Sequence, residues 1–130
     1  MEELTPSGRE LEILKVLWQL GRGSVREVHQ RMCPHRELAF NTVQTLLRIM
    51  DDKGLVSHKV QGRRFIYRPR YSRERATLRF LEQVFDGAID QVVVSMLHTA
   101  DPGPEELKQL EKIISEARRR KHNQERHKEP

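Results

Sequence analysis

Apolar residues recur along this chain at two different periods, and the switch between them marks out its elements. Leu11, Leu14, Leu17 and Trp18 keep helical spacing until Gly21 and Gly23 interrupt the run, which predicts a first helix with Thr5 as N-cap, Pro6 in its first turn and Trp18 in its core. Ser24-Val25-Arg26-Glu27 has the form of a capping box and opens a short second helix that ends near Cys33, because Pro34 cannot lie within it. A third helix is predicted over about residues 39–53, closed by Gly54 as a left-handed C-cap. After Gly54 the period falls to two: Val56, His58 and Val60 alternate with Ser57 and Lys59, and Phe65 and Tyr67 alternate with Ile66 and Arg68. Gln61-Gly62-Arg63-Arg64 supplies the turn of a β-hairpin that Pro69 ends.

Three helices and a basic hairpin at the start of the chain read as a winged helix-turn-helix. Further helices follow over about residues 73–85, capped by Ser72, then 88–98, then from Pro104 after the Asp101-Pro102-Gly103-Pro104 break. The expected fold is mostly α. A winged-helix DNA-binding domain occupies residues 1–71, a three-helix dimerisation region 72–118, and a basic, frayed tail 119–130.

The third helix carries the most specific signal. Val43, Leu46, Leu47 and Met50 fall on one face, while Asn41, Gln44, Thr45 and Arg48 fall on the opposite one, with Thr42 at its edge. Amide, hydroxyl and guanidinium groups on the first turns of a helix suit base edges: glutamine pairs with adenine, threonine meets a thymine methyl, arginine reaches guanine or phosphate. Arg63 and Arg64 at the hairpin tip, backed by Lys59, Arg68 and Arg70, suit phosphates or a minor groove.

Charge supports that partner. Residues 1–70 carry all of the net +5 and residues 71–130 are neutral. The excess is concentrated in residues 39–70, with seven Lys/Arg against Asp51 and Asp52, and in the tail. Such a block favours a polyanion. The 130 residues include 33% charged, 36% hydrophobic and one cysteine, Cys33, which leaves no disulfide framework and no cysteine-rich metal site. Cys33 reads as a small buried or helix-end residue. The six histidines are scattered without a ligand spacing, and no nucleophile–base pair stands at recognisable spacing, so no metal, no cofactor and no catalysis are expected. No apolar run approaches the roughly 18 residues of a membrane span. Met1-Glu2-Glu3-Leu4 is not the start of a signal peptide, and a cytoplasmic protein is expected.

Leu4-Thr5-Pro6 leading to Glu10, Leu14 and Trp18, then Asn41-Thr42-Val43-Gln44-Thr45-Leu46-Leu47, then Asp52-Lys53-Gly54-Leu55-Val56, together resemble the penicillinase-repressor family over about residues 4–118. The resemblance implies an N-terminal winged helix, C-terminal helical dimerisation and repression at palindromic promoter operators with TACA/TGTA-like inverted repeats. It places Asn41, Thr42, Gln44 and Thr45 at the recognition-helix contacts and Arg63 and Arg64 where the wing approaches DNA. It also implies relief by a sensor protease system that cuts an Asn-Phe bond in the fifth-helix region. The pair aligned with that bond here is Ser95-Met96, a departure from the pattern. A second departure is the lack of the C-terminal cysteine cluster of the copper-responsive branch, so copper sensing is not expected.

The C-terminal region also carries a physical expectation of its own. Leu78, Leu81 and Phe85, then Ile89, Val92, Val93, Met96 and Leu97, then Leu107, Leu110, Ile113 and Ile114 are more apolar surface than some sixty residues in three helices bury alone. Either the helices fold back on the winged helix or they interleave with a second copy; because one recognition helix reads too few bases, a twofold dimer is expected, and a double-stranded, inverted-repeat operator with it. Two alternatives remain at this level: a winged helix used for protein–protein contact, and a ligand-responsive winged-helix regulator not relieved by proteolysis.

Overall fold

A computed structural model describes residues 5–33 and 37–128. Among these the order is α1 (Gly8–Leu20), β1 (Gly23–Ser24), α2 (Val25–Met32), α3 (Phe40–Lys53), β2 (Val56–Gln61), β3 (Arg64–Pro69), α4 (Arg73–Phe85), α5 (Ile89–Ala100) and α6 (Pro104–Lys128). The chain divides into two compact units, residues 1–80 and 81–130. Pro34, the predicted stop of α2, lies outside the described residues, as do Leu4 and the last two residues of the tail. Among the described residues no helix is long and apolar enough to cross a membrane.

The first unit is built on α1, α2 and α3 closed by the hairpin. Ile13, Leu14 and Leu17 of α1, Val28 of α2, and Val43, Leu47 and Met50 of α3 are fully buried, with Leu55, Val56 and Tyr67 completing the cluster from the hairpin side. The cap of α1 differs from expectation. Ser7, not Thr5, is the N-cap: its hydroxyl accepts from the Glu10 amide at 3.3 Å, and the Glu10 carboxylate accepts from the Ser7 amide at 2.9 Å. This reciprocal box satisfies two of the orphan donors at the helix start. A tertiary contact reinforces it, since the almost wholly buried Glu10 carboxylate takes the Lys53 ammonium at 3.1 and 3.2 Å.

Burial pushes the Glu10 carboxyl upward, but the Ser7 amide, the Lys53 ammonium and the Ser7 hydroxyl together outweigh it and hold the group below the usual glutamate range. A carboxylate lowered in the folded state stabilises that state above its unfolded pKa, and the contribution is lost as pH falls through the folded value. Glu10→Gln is therefore expected to cost about 1–2 kcal/mol at neutral pH and to flatten the acid limb of the stability curve. Urea melts of both proteins between neutral and acid pH check this, and an equal loss at every pH would contradict it.

The predicted capping box of α2 is present, with Glu27 N–H donating to the Ser24 hydroxyl at 3.2 Å and Ser24 N–H to the Glu27 carboxylate at 3.1 Å. Gly54 closes α3 at φ 85°, the left-handed region that a side chain would strain. The sheet has three strands in the order β1-β3-β2, one more than the two-stranded wing expected. The extra strand is the two-residue β1, whose Gly23 lies opposite Tyr67. Two residues are too few to show an alternation in sequence.

Trp18 sits at the rim of the core rather than inside it. Its indole N–H donates to the Tyr71 carbonyl at 2.9 Å, and the Arg73 guanidinium lies 5.5 Å from its ring, so the exit of the hairpin is tied back to α1. Ser72 caps α4 as expected, accepting from the Arg75 amide at 3.1 Å.

In the second unit, α6 continues to Lys128, past Arg118, where the chain was expected to fray. No glycine or proline interrupts it between Pro104 and Pro130, most of its residues are strong helix formers, and Glu116–Arg120 and Lys121–Glu125 set opposite charges four apart. Cys33 is exposed at the end of α2, its sulfur 3.2 Å from His29 Nε2, and is not buried.

Candidate nucleic-acid interface

The third helix turns its two faces as its sequence predicts. Val43, Leu47 and Met50 anchor it in the core with Leu46 half-buried, while Asn41, Thr45 and Arg48 are exposed and Thr42 and Gln44 half-buried on the outward side. Its N-cap, Ala39, offers no side-chain bond and its first turn holds no acid, so the positive end of the helix dipole is not neutralised.

Beside this face stands the hairpin. Gln61 pairs with Arg64, leaving a two-residue turn of Gly62 and Arg63, and Gly62 takes φ 65° at the first turn position, where glycine is favoured. Between α3 and the wing lies a hollow of about 350 Å3 lined by Ser24, Val25, Arg26, Phe40, Gln44, Arg48, Arg63, Arg64, Phe65 and Tyr67. It brings together four of the predicted residues: Gln44, Arg48, Arg63 and Arg64. Asn41, Thr42 and Thr45 lie on α3 outside its lining. Lys59, Arg68 and Arg70 are exposed and also lie outside it.

Four arginines thus line one concavity, together with Gln44. Arg26 was not among the predicted contacts, and neither were Phe40, Phe65 and Tyr67. The capping box that starts α2 puts Arg26 in its first turn, and the strand alternation puts Phe65 on the Tyr67 side, so both signals were present in the sequence. What was missing was the distance across the fold. At the start of α2, hydrogen bonds from the Ser24 backbone and hydroxyl, aided by the charges of Arg64 and Arg22, hold the Glu27 carboxyl below its usual range against desolvation.

The wing is fastened to α3 by a polar pair. His58 Nδ1 on β2 is hydrogen-bonded to the Asp51 carboxylate on α3. The His58 ring is stacked on Phe65, centroids 4.4 Å apart and planes 19° from parallel. Burial pushes the Tyr67 hydroxyl above the usual tyrosine range, Asp51 adding to the effect and Arg48 opposing it. The Asp51–His58 bond and the His58–Phe65 stack thus link the outward side of α3 to the wing.

The residues expected at a dimer interface are mostly uncovered within one chain. Leu78 on α4, Val93, Met96 and Leu97 on α5, and Leu107, Leu110 and Ile114 on α6 are exposed, Leu81 and Phe85 are half-buried, and Val92 is buried. Ser95, half-buried, and Met96 lie inside α5, so the bond between them is helical.

A helix-turn-helix closed by a β-wing, with an arginine-lined hollow beside an amide-bearing helix, defines a winged-helix DNA-binding regulator. The chain belongs to the penicillinase-repressor family, whose model matches residues 6–116. It is 29% identical over 119 residues to the penicillinase repressor of Bacillus licheniformis, covering 88% of this chain and 93% of that protein. The solution structure of the Bacillus licheniformis BlaI monomeric form, in complex with the blaP half-operator, superposes with a TM-score of 0.50 at 28% identity over 57% of this chain and 90% of that one. A MarR-family protein from Bacillus stearothermophilus, at TM-score 0.52 and 22% identity over 96% of this chain and 78% of that one, shares the fold.

Proposed function

We propose that this DNA-binding transcriptional repressor works in the cytoplasm as a homodimer on an inverted-repeat promoter operator, each protomer seating α3 in the major groove of one half-site. The observation that carries the reading is the hollow between α3 and the wing, where Arg26, Arg48, Arg63 and Arg64 stand beside Gln44. Gln44, with Asn41, Thr42 and Thr45, reads base edges and the arginines hold the flanking phosphates. The BlaI structure is of a monomer on a half-operator, which supports one winged helix per half-site. Repression follows from occupying the promoter and involves no chemistry on the DNA. A second copy covers the exposed side chains of α4, α5 and α6. Relief by a sensor protease at Ser95–Met96 requires α5 to unwind first, because a protease takes its substrate extended.

The two sets of contacts separate experimentally. Gln44→Ala is expected to lose about 1–3 kcal/mol of preference for an inverted-repeat TACA/TGTA duplex over a scrambled one. Arg63→Ala is expected to weaken both duplexes alike and to reduce the slope of log K against log salt by about one. Fluorescence anisotropy over a salt series reads both, and a shifted sequence preference in Arg63→Ala with none in Gln44→Ala would reverse the roles.

A further inference from the structure

The inner face of the wing stays apolar beyond the point where it has a core to cover. Cross-strand partners in an antiparallel pair share a face, and the register sets His58 opposite Tyr67 and Val60 opposite Phe65. Tyr67 is buried, but Val60 is 65% exposed and Phe65 46% exposed, so the face runs on toward the tip as an open shelf. Phe65 lines the same hollow as Arg48, Arg63 and Arg64. It is also held in place: His58 stacks on its ring, and His58 is bonded to Asp51 on α3.

We propose that Phe65 and Val60 form an apolar contact for the deoxyribose faces of the DNA strand that passes the wing, an inference that rests on the repressor function above. Charge complementarity selects the occupant. A purely apolar partner would leave the four arginines that line the hollow without a countercharge, whereas a nucleic-acid backbone alternates phosphates, which arginines take, with sugars whose carbon faces are its apolar part. A sugar contact is made in any sequence and releases no counterion. It adds affinity without adding salt dependence or base preference.

The test uses the full chain, with Phe65→Ala and Val60→Ser titrated against the TACA/TGTA inverted-repeat duplex and a scrambled duplex over a salt series. Phe65→Ala is expected to weaken both duplexes roughly tenfold and Val60→Ser roughly threefold, in proportion to the apolar area withdrawn, with the salt slope unchanged. A melting curve for each variant accompanies the titration. Val60→Ser, at the more exposed position, tests the shelf even if Phe65→Ala loosens the wing. Undiminished affinity in both variants overturns the shelf. A loss confined to the inverted repeat overturns it in favour of base reading. A changed oligomeric state on gel filtration with affinity retained makes a second copy the occupant and overturns it as well. Failure of the unaltered protein to bind either duplex overturns the operator binding proposed above, which separates the two failures.

Discussion

Changing Leu110 to Glu is expected to yield a folded monomer that binds an inverted-repeat operator roughly a hundredfold more weakly than the unaltered protein. Leu110 is 41% exposed on α6, in a helix whose Leu107, Ile113 and Ile114 are exposed as well. Large apolar side chains left open in such numbers mark an interaction surface, which the proposed dimer covers. A carboxylate buried in that interface without a countercharge costs several kcal/mol, enough to part most dimers. Among the described residues the core cluster of the first unit includes none of α6, so the winged helix is expected to stay folded. The operator loss follows from linkage. In the proposed dimer, two joined α3 helices bind their half-sites as one event at high effective concentration, and a separated monomer must bind each alone. Sedimentation and operator titration of the same sample check both halves. A dimeric variant, or an unaltered protein that is itself monomeric, would contradict the expectation.

Leu47→Ala is expected to cost about 3 kcal/mol of folding stability, within the usual range for a fully buried leucine. Leu47 is enclosed within the cluster that α1 and α2 share with α3, so deleting its side chain leaves a cavity there. A small domain holds only about 5–15 kcal/mol in total. Gln44 and Arg48 lie on the other side of the same helix, away from the cavity. Chemical denaturation gives the first number directly, and a loss below about 1 kcal/mol would mean that the site collapses around the gap.

The elements that could be read from the sequence are those whose signals are local. The α3 stripe, the Gly54 cap, the Ser24–Glu27 box and the hairpin turn depend on residues within a few positions of one another, and each is found where its pattern puts it. The features that differ from the local pattern depend on residues far apart in the chain. Thr5-Pro6 and Ser7-x-x-Glu10 both match helix-start patterns, and the outcome also involves Lys53, 43 positions from Glu10. Trp18 looked like core because its spacing is helical, yet its indole is satisfied by the carbonyl of Tyr71. Gly23 and Ser24 form a strand only because β3 passes beside them. The same holds at the candidate site. Gln44, Arg48, Arg63 and Arg64 were legible from residue type and position, whereas Arg26 and Phe65 join them only through the fold.

Selecting bound duplexes from a random pool with the purified full chain tests the central claim most directly, because it reports specificity, symmetry and spacing together. Enrichment of an inverted repeat is expected, its half-sites separated by a distance that two α3 helices span, with one position relaxed when Gln44→Ala is used. An unenriched pool, or a single unrepeated motif, would contradict recognition by a paired winged helix.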